Sequence, residues 1–161
     1  MTDYLPLGIF VLLTASAAMT GGLFKPGPWY LALNKPWWTP PGWAFPLVWT
    51  ILYVMIALAG WIVWQAQGIG ILVALWAIQL VLNAAWSWIM FGRKRIDVAL
   101  WDAAAMWVAI SAFIVLAWPV SQTAALLFIP YLVWVSIAFY LNLRVLQLNP
   151  GVGQQSLARS K

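Results

Sequence analysis

The run ILVALWAIQLVLNAAWSWIMF (71–91), the basic hinge GRKRID (92–97) and the run VALWDAAAMWVAISAFIVLAW (98–118) decide the fold. Each apolar run matches the ~20 residues that an α-helix needs to cross a bilayer. The hinge is too short for anything but a tight reversal. Two antiparallel membrane helices follow, and three further runs of the same kind flank them. The expected spans are 4–24, 44–64, 71–91, 98–118 and 123–146, with a polar, frayed tail over 149–161. The whole chain, 1–161, is thus expected to be a single all-α integral membrane domain. Its fold class is a five-transmembrane-helix bundle whose long first loop acts as a lid.

Composition agrees. Hydrophobic residues make up 65% of 161 residues, charged residues 7%, and mean hydropathy is +0.91. A soluble domain carries about 25% charged residues; eight Lys and Arg with three Asp cannot clothe a water-facing globule. The lipid bilayer is therefore the expected solvent and first partner. Cys and His are both absent, which removes thiolate chemistry, haem axial ligation by His and the commonest metal ligand. No metal site and no obligatory cofactor are expected.

Charge placement sets the orientation. With five crossings, Lys25, Lys35, Arg93, Lys94, Arg95, Arg144, Arg159 and Lys161 share one side, and the turns at 65–70 and 119–122 carry no Lys or Arg. The positive-inside rule puts the N-terminus outside and the C-terminus in the cytoplasm. The same segregation accounts for the +5 charge without nucleic acid. Asp3 precedes the first run where a signal peptide would be basic, so that run is taken as a retained helix. Helical spans favour a bacterial cell membrane, since outer-membrane spans are typically barrels.

In lipid, helices meet through small residues and inward polar groups. Thr14, Ala17, Ala18 and Gly21 form one such stripe; Gln79, Asn83, Trp86 and Ser87 form another. Trp49, Tyr53, Ala57 and Gly60 align on the second span, and Pro130, Trp134, Ala138 and Asn142 on the fifth. Trp49, Asn83 and Trp134 fall at comparable depth in the cytoplasmic half. A pocket there, lidded by residues 25–43, would suit a large, flat, apolar ligand held by indole stacking. The remaining Trp residues, such as Trp37, Trp38, Trp43, Trp61 and Trp118, fit an interfacial belt. Asp97 and Asp102 are expected to cap and ion-pair the start of the fourth span. No carboxylate is expected at mid-depth, which argues against energised transport.

Three blocks, KPWWTPPGWAFPLVWTILY (35–53), QLVLNAAWSWIMFG (79–92) and PYLVWVSIAFYLN (130–142), recur in order over nearly the whole chain. In these the sequence resembles the translocator protein family, also called the tryptophan-rich sensory protein or peripheral-type benzodiazepine receptor family, in a bacterial style. The resemblance implies a homodimeric five-helix bundle that binds protoporphyrin IX or related tetrapyrroles, benzodiazepine-like ligands and, in animal members, cholesterol. It implies ligand-binding positions at Tyr30, Trp49, Asn83, Trp134 and Ala138, and lid positions at Pro40, Pro41 and Trp43. Some relatives are thought to degrade porphyrin in light, for which Trp49 and Trp134 are the catalytic candidates; facilitated transport is a third role. Lys25 or Lys35 would pair with propionates. Some members are assigned to outer membranes. Leu143 departs from the animal sterol pattern, leaving a loose match at Val135, Tyr140 and Arg144. The small-residue dimer pattern on the third span keeps Ala74 but has Ile78.

Overall fold

The computed structural model describes residues 4–152. It contains α1 (Leu5–Leu23), a one-turn α2 (Pro28–Leu31), α3 (Ala44–Gln67), α4 (Ile71–Ser87), α5 (Ile96–Ala117) and α6 (Gln122–Leu148). A π-turn, Trp88–Gly92, continues α4. All but α2 are long and apolar enough to span a membrane, α4 together with its π-turn. The chain is an all-α, multi-pass membrane protein, and among the described residues there is no strand.

Local chemistry sets the boundaries. Pro6 sits in the first turn of α1, where its missing N–H costs no helical bond. Gly68 ends α3 at φ 68°, a left-handed conformation that glycine adopts freely, and its N–H donates to the Trp64 carbonyl. Ser121 caps α6 by accepting from the Ala124 N–H. Gly92 closes the π-turn because a Cβ there would press on the Phe24 and Trp88 rings at 3.0 and 3.1 Å.

The helices pack as a ring in the order α1–α3–α6–α5–α4, closing back on α1, with α3 and α4 touching across it. One end of the ring carries the short turns and the start of α1. The other carries residues 25–43, the π-turn and the end of α6. At the turn end the Trp76 indole donates to the Ile56 carbonyl at 2.8 Å. Gly60 makes that approach fit: a Cβ there would fall 2.5 Å from Trp76 Nε1 and 2.7 Å from Phe10. Phe113 stacks on Phe128 at 4.0 Å, both fully buried.

Two expectations need correction. Pro130 is exposed, and Tyr131 is buried in its place. Successive i+4 steps drift about 40° around a helix, so a stripe from Pro130 to Asn142 cannot face inward at both ends. The tail does not fray at Asn149: that side chain is 9% exposed and bonded both to the first loop and to the Val145 carbonyl. The remaining tail, 153–161, with Arg159 and Lys161, and the N-terminal Asp3 lie outside the described residues.

Candidate functional site

Four helices of the ring each contribute one group to a single chain of contacts between them. The Tyr53 hydroxyl (α3) donates to Asn83 Oδ1 (α4) at 2.8 Å. Asn83 Nδ2 donates to the Tyr131 oxygen (α6) at 2.9 Å, and that hydroxyl donates to Met106 Sδ (α5) at 3.1 Å. An amide is costly in hydrocarbon unless bonded, and here both ends of the Asn83 amide are engaged. The network fixes how the four helices face one another.

Rings gather around it on the loop side. Trp49 stacks on Tyr53 at 5.3 Å and meets the Tyr131 ring edge-on at 6.1 Å. Trp134, one turn beyond Tyr131, meets Phe45 at 5.6 Å. Its indole nitrogen is buried and has no hydrogen-bond acceptor. Ala138 lies half-buried a further turn along α6. Trp49 and Asn83 thus both touch Tyr131, and Trp134 follows it one turn along α6, against Phe45.

The first loop folds over this end. Tyr30 is half-buried with its ring edge-on to Phe91 at 5.4 Å, and burial raises its phenol above the ordinary range. Trp38 stacks nearly parallel on Tyr140 at 5.4 Å. Pro40 is half-buried, Pro41 exposed, and Trp43 69% exposed at the start of α3. The rings that cover the bundle are therefore those of Tyr30, Trp38 and Phe45. Asn149 ties the loop down: its Oδ1 accepts from the Asn34 N–H at 3.0 Å and its Nδ2 donates to the Asn34 carbonyl at 2.9 Å. Lys35 is committed to the loop's own backbone, donating to the carbonyls of Tyr30, Leu31 and Leu33. All three of its N–H donors are used, so Lys25, which is exposed, is the freer of the two cations named for propionates. A groove of about 390 Å³ between α1 and α3 opens toward lipid, and Tyr53 and Thr14 are in its wall.

The two carboxylates part company. Asp97 pairs with Arg95 through both oxygens, at 2.8 and 2.6 Å, so the ion pair at the helix start is present, but no side chain caps α5. Asp102 does not pair: its Oδ2 is buried and without a partner. Because α5 begins at Ile96, Asp102 stands about 9 Å into the helix, one turn before Met106 and on the same side. The expectation that it pairs at the membrane edge is wrong.

Sequence reasoning missed Tyr131 and Met106. Tyr131 was masked by the i+4 series through Pro130, although it lies three residues before Trp134, within one helical face. Met106 has no polar signature at all. Among the described residues no cluster of His, Cys, Asp or Glu could hold a metal ion.

The TspO/MBR family profile matches residues 10–148. A tryptophan-rich sensory protein of Cereibacter sphaeroides is 41% identical over 87% of this chain and 89% of its own length. A tryptophan-rich protein TspO of Chlorobaculum tepidum is 40% identical over 91% of this chain and 97% of its own. The translocator protein of Homo sapiens is 33% identical over 92% of both. With a profile covering most of its length and relatives of this similarity across bacteria and animals, the chain belongs to the TspO/MBR family.

Proposed function

We propose that this protein is a membrane receptor or carrier for large, flat, hydrophobic ligands of the porphyrin type. Benzodiazepine-like molecules would occupy the same place, and occupancy would be the signal in a tetrapyrrole or oxygen-stress response. The family's members are named as sensory and translocator proteins, which supports a sensory or carrier role in the membrane. The observation that carries the ligand reading is the convergence of four helices on Asn83 and Tyr131, with Trp49 against the Tyr131 ring and Trp134 one turn along α6 with its indole N–H free. Stacking on indoles together with a few fixed polar groups is how such macrocycles are held. A ligand dissolved in the bilayer meets the groove between α1 and α3, whose wall includes Tyr53. A second copy would pack on the lipid side of α4, where Ala74 and Ile78 are exposed. The N-terminus would lie outside, with the loop end and its cations in the cytoplasm of a bacterial cell.

Quenching of protein fluorescence by protoporphyrin IX tests the site. Trp134→Phe and Asn83→Ala should each weaken binding about tenfold, the scale of one lost buried hydrogen bond or stacked ring. Unchanged affinity in both would remove the site from this end of the bundle. Illuminating the same samples separates binding from porphyrin breakdown: a new absorbing product, lost in Trp49→Phe or Trp134→Phe and not formed by ligand in empty micelles, would make the protein an enzyme.

A further inference from the structure

The cations at the loop end divide into two sets. Lys35 donates to three carbonyls of its own loop, Arg95 is paired with Asp97, and Arg144 donates to Gln147 Oε1 at 2.7 Å. Lys25, Arg93 and Lys94 are exposed, and among the described residues none of these three side chains has an ion pair or a hydrogen bond. The Arg93 guanidinium lies 5.6 Å from the centre of the Trp88 ring, and Lys94 Nζ lies 6.0 Å from that of Trp29. A ring face attracts a cation and leaves its N–H groups free to donate elsewhere.

The three stand together although they come from two segments. The ring of Phe24, the neighbour of Lys25, lies against Gly92, the neighbour of Arg93. Trp29, on the same loop as Lys25, lies under Lys94. The turn that presents Arg93 and Lys94 is fixed: the N–H groups of Arg93 and Arg95 donate to the Trp88 and Ile89 carbonyls at 2.8 and 3.1 Å. Between them Lys94 has φ 55°, alone among the described non-glycine residues. A lysine rarely adopts this left-handed conformation, and residues held in it gather at ligand sites. Lys25 follows α1 by two residues, and Arg93 and Lys94 directly follow the span Ile71–Gly92. All three therefore stand where a bilayer places its phosphates, beside two rings of the interfacial kind.

We propose that Lys25, Arg93 and Lys94 hold the phosphate of an anionic phospholipid. The cluster has no acid of its own: of the described carboxylates, Asp97 is taken by Arg95, and Asp102 stands inside α5. A zwitterionic headgroup brings its own cation to the same place, whereas a net-negative one meets only attraction and several charged donors at once. The headgroup bridges the end of α1 and the α4–α5 turn, so its binding draws the start of the first loop onto the ring. This stands apart from the porphyrin reading, because the cations lie outside the bundle and need no ligand within it.

The test melts the full chain in neutral detergent with added phosphatidylglycerol, phosphatidylcholine of the same acyl chains, or inorganic phosphate. Phosphatidylglycerol should raise the melting temperature and saturate, as a bound ligand does; phosphatidylcholine and phosphate should not. Lys25→Gln, Arg93→Gln and Lys94→Gln should each raise the half-saturating phosphatidylglycerol about fivefold, the worth of one cation at a membrane surface. These side chains are exposed, so without lipid the variants should melt like wild type. Arg144→Gln removes the same charge from the same end of the ring and should leave the half-saturating lipid nearly unchanged. Equal stabilisation by both lipids, or by neither, overturns the proposal. So does an effect of Arg144→Gln as large as that of Arg93→Gln, which marks a diffuse field rather than a site. Stabilisation by inorganic phosphate equal to that by phosphatidylglycerol assigns the cluster to a free anion and overturns the lipid.

Discussion

The turn end and the loop end of the ring are built on different plans. At the turn end large side chains are wholly enclosed: Trp76 and Phe113 are 2% and 0% exposed, Trp76 against Phe10 and Gly60 and Phe113 against Phe128. At the loop end the fully buried residues are few, among them Met90, Ile96, Ala99 and Val145, and the large rings of Trp29, Tyr30, Trp38, Phe45 and Trp86 are only half-covered. Lipid supplies no hydrophobic drive between helices, so the turn end coheres by close fit. The loop end coheres by half-covered rings and a loop laid over them, and the polar network lies between the two ends, with its Tyr131 ring against Phe128. A closely fitted end can hold the helices while the other end rearranges around a guest.

The sharpest way to break this contrast is Gly60→Ala. One methyl would sit within 2.7 Å of both Trp76 and Phe10. Steric strain of this kind does not depend on the solvent, and overpacking of a filled core costs about 1–3 kcal/mol. The variant should show the largest fall in melting temperature in detergent, and adding Trp76→Phe should recover part of it by opening the space. If Gly60→Ala melts like wild type, the turn end is not the rigid half.

Asn83→Leu should cost less, about 1 kcal/mol, because side-chain hydrogen bonds between membrane helices average well under 2 kcal/mol. It leaves the Tyr53 and Tyr131 hydroxyls to find new partners, so the four helices should lose register before they lose association. Thermal melting beside Gly60→Ala makes the comparison direct. A larger loss in Asn83→Leu would mean that the network, not the close fit, holds the ring.

These differences explain what the sequence could and could not disclose. Five spans were legible because bilayer thickness imposes a length on every apolar run, and the observed helices differ from the expected ones by a few residues at their ends. Asn83 was legible because an amide in hydrocarbon must face inward. Tyr131 was not, since in a chain this rich in aromatics a buried tyrosine and a belt tyrosine read alike. Asp102 was misplaced for a related reason. Charge spacing along GRKRID suggests pairing at the membrane edge, but pairing depends on rotation about the helix axis, and α5 turns only Asp97 toward Arg95. The hold of Asn149 on Asn34 joins residues 115 positions apart, and no local pattern announces it.

That hold gives the smallest expected effect on stability and the most local one. Asn149 meets the Asn34 backbone with both ends of its amide, as a neighbouring strand would, and also bonds the Val145 carbonyl within α6. Asn149→Ala removes all three bonds at a site near water, where solvent replaces them, so the global loss should be about 1 kcal/mol or less. The loop should nevertheless loosen, because its other attachments are ring contacts such as Trp38 on Tyr140. Hydrogen exchange at the Asn34 amide should speed up about tenfold, the factor corresponding to roughly 1.4 kcal/mol of local opening, while amides around Gly60 keep their wild-type rates. If both ends speed up together, the two halves open as one cooperative unit. If the loop alone responds, it is a lid that can lift while the ring beneath stays closed.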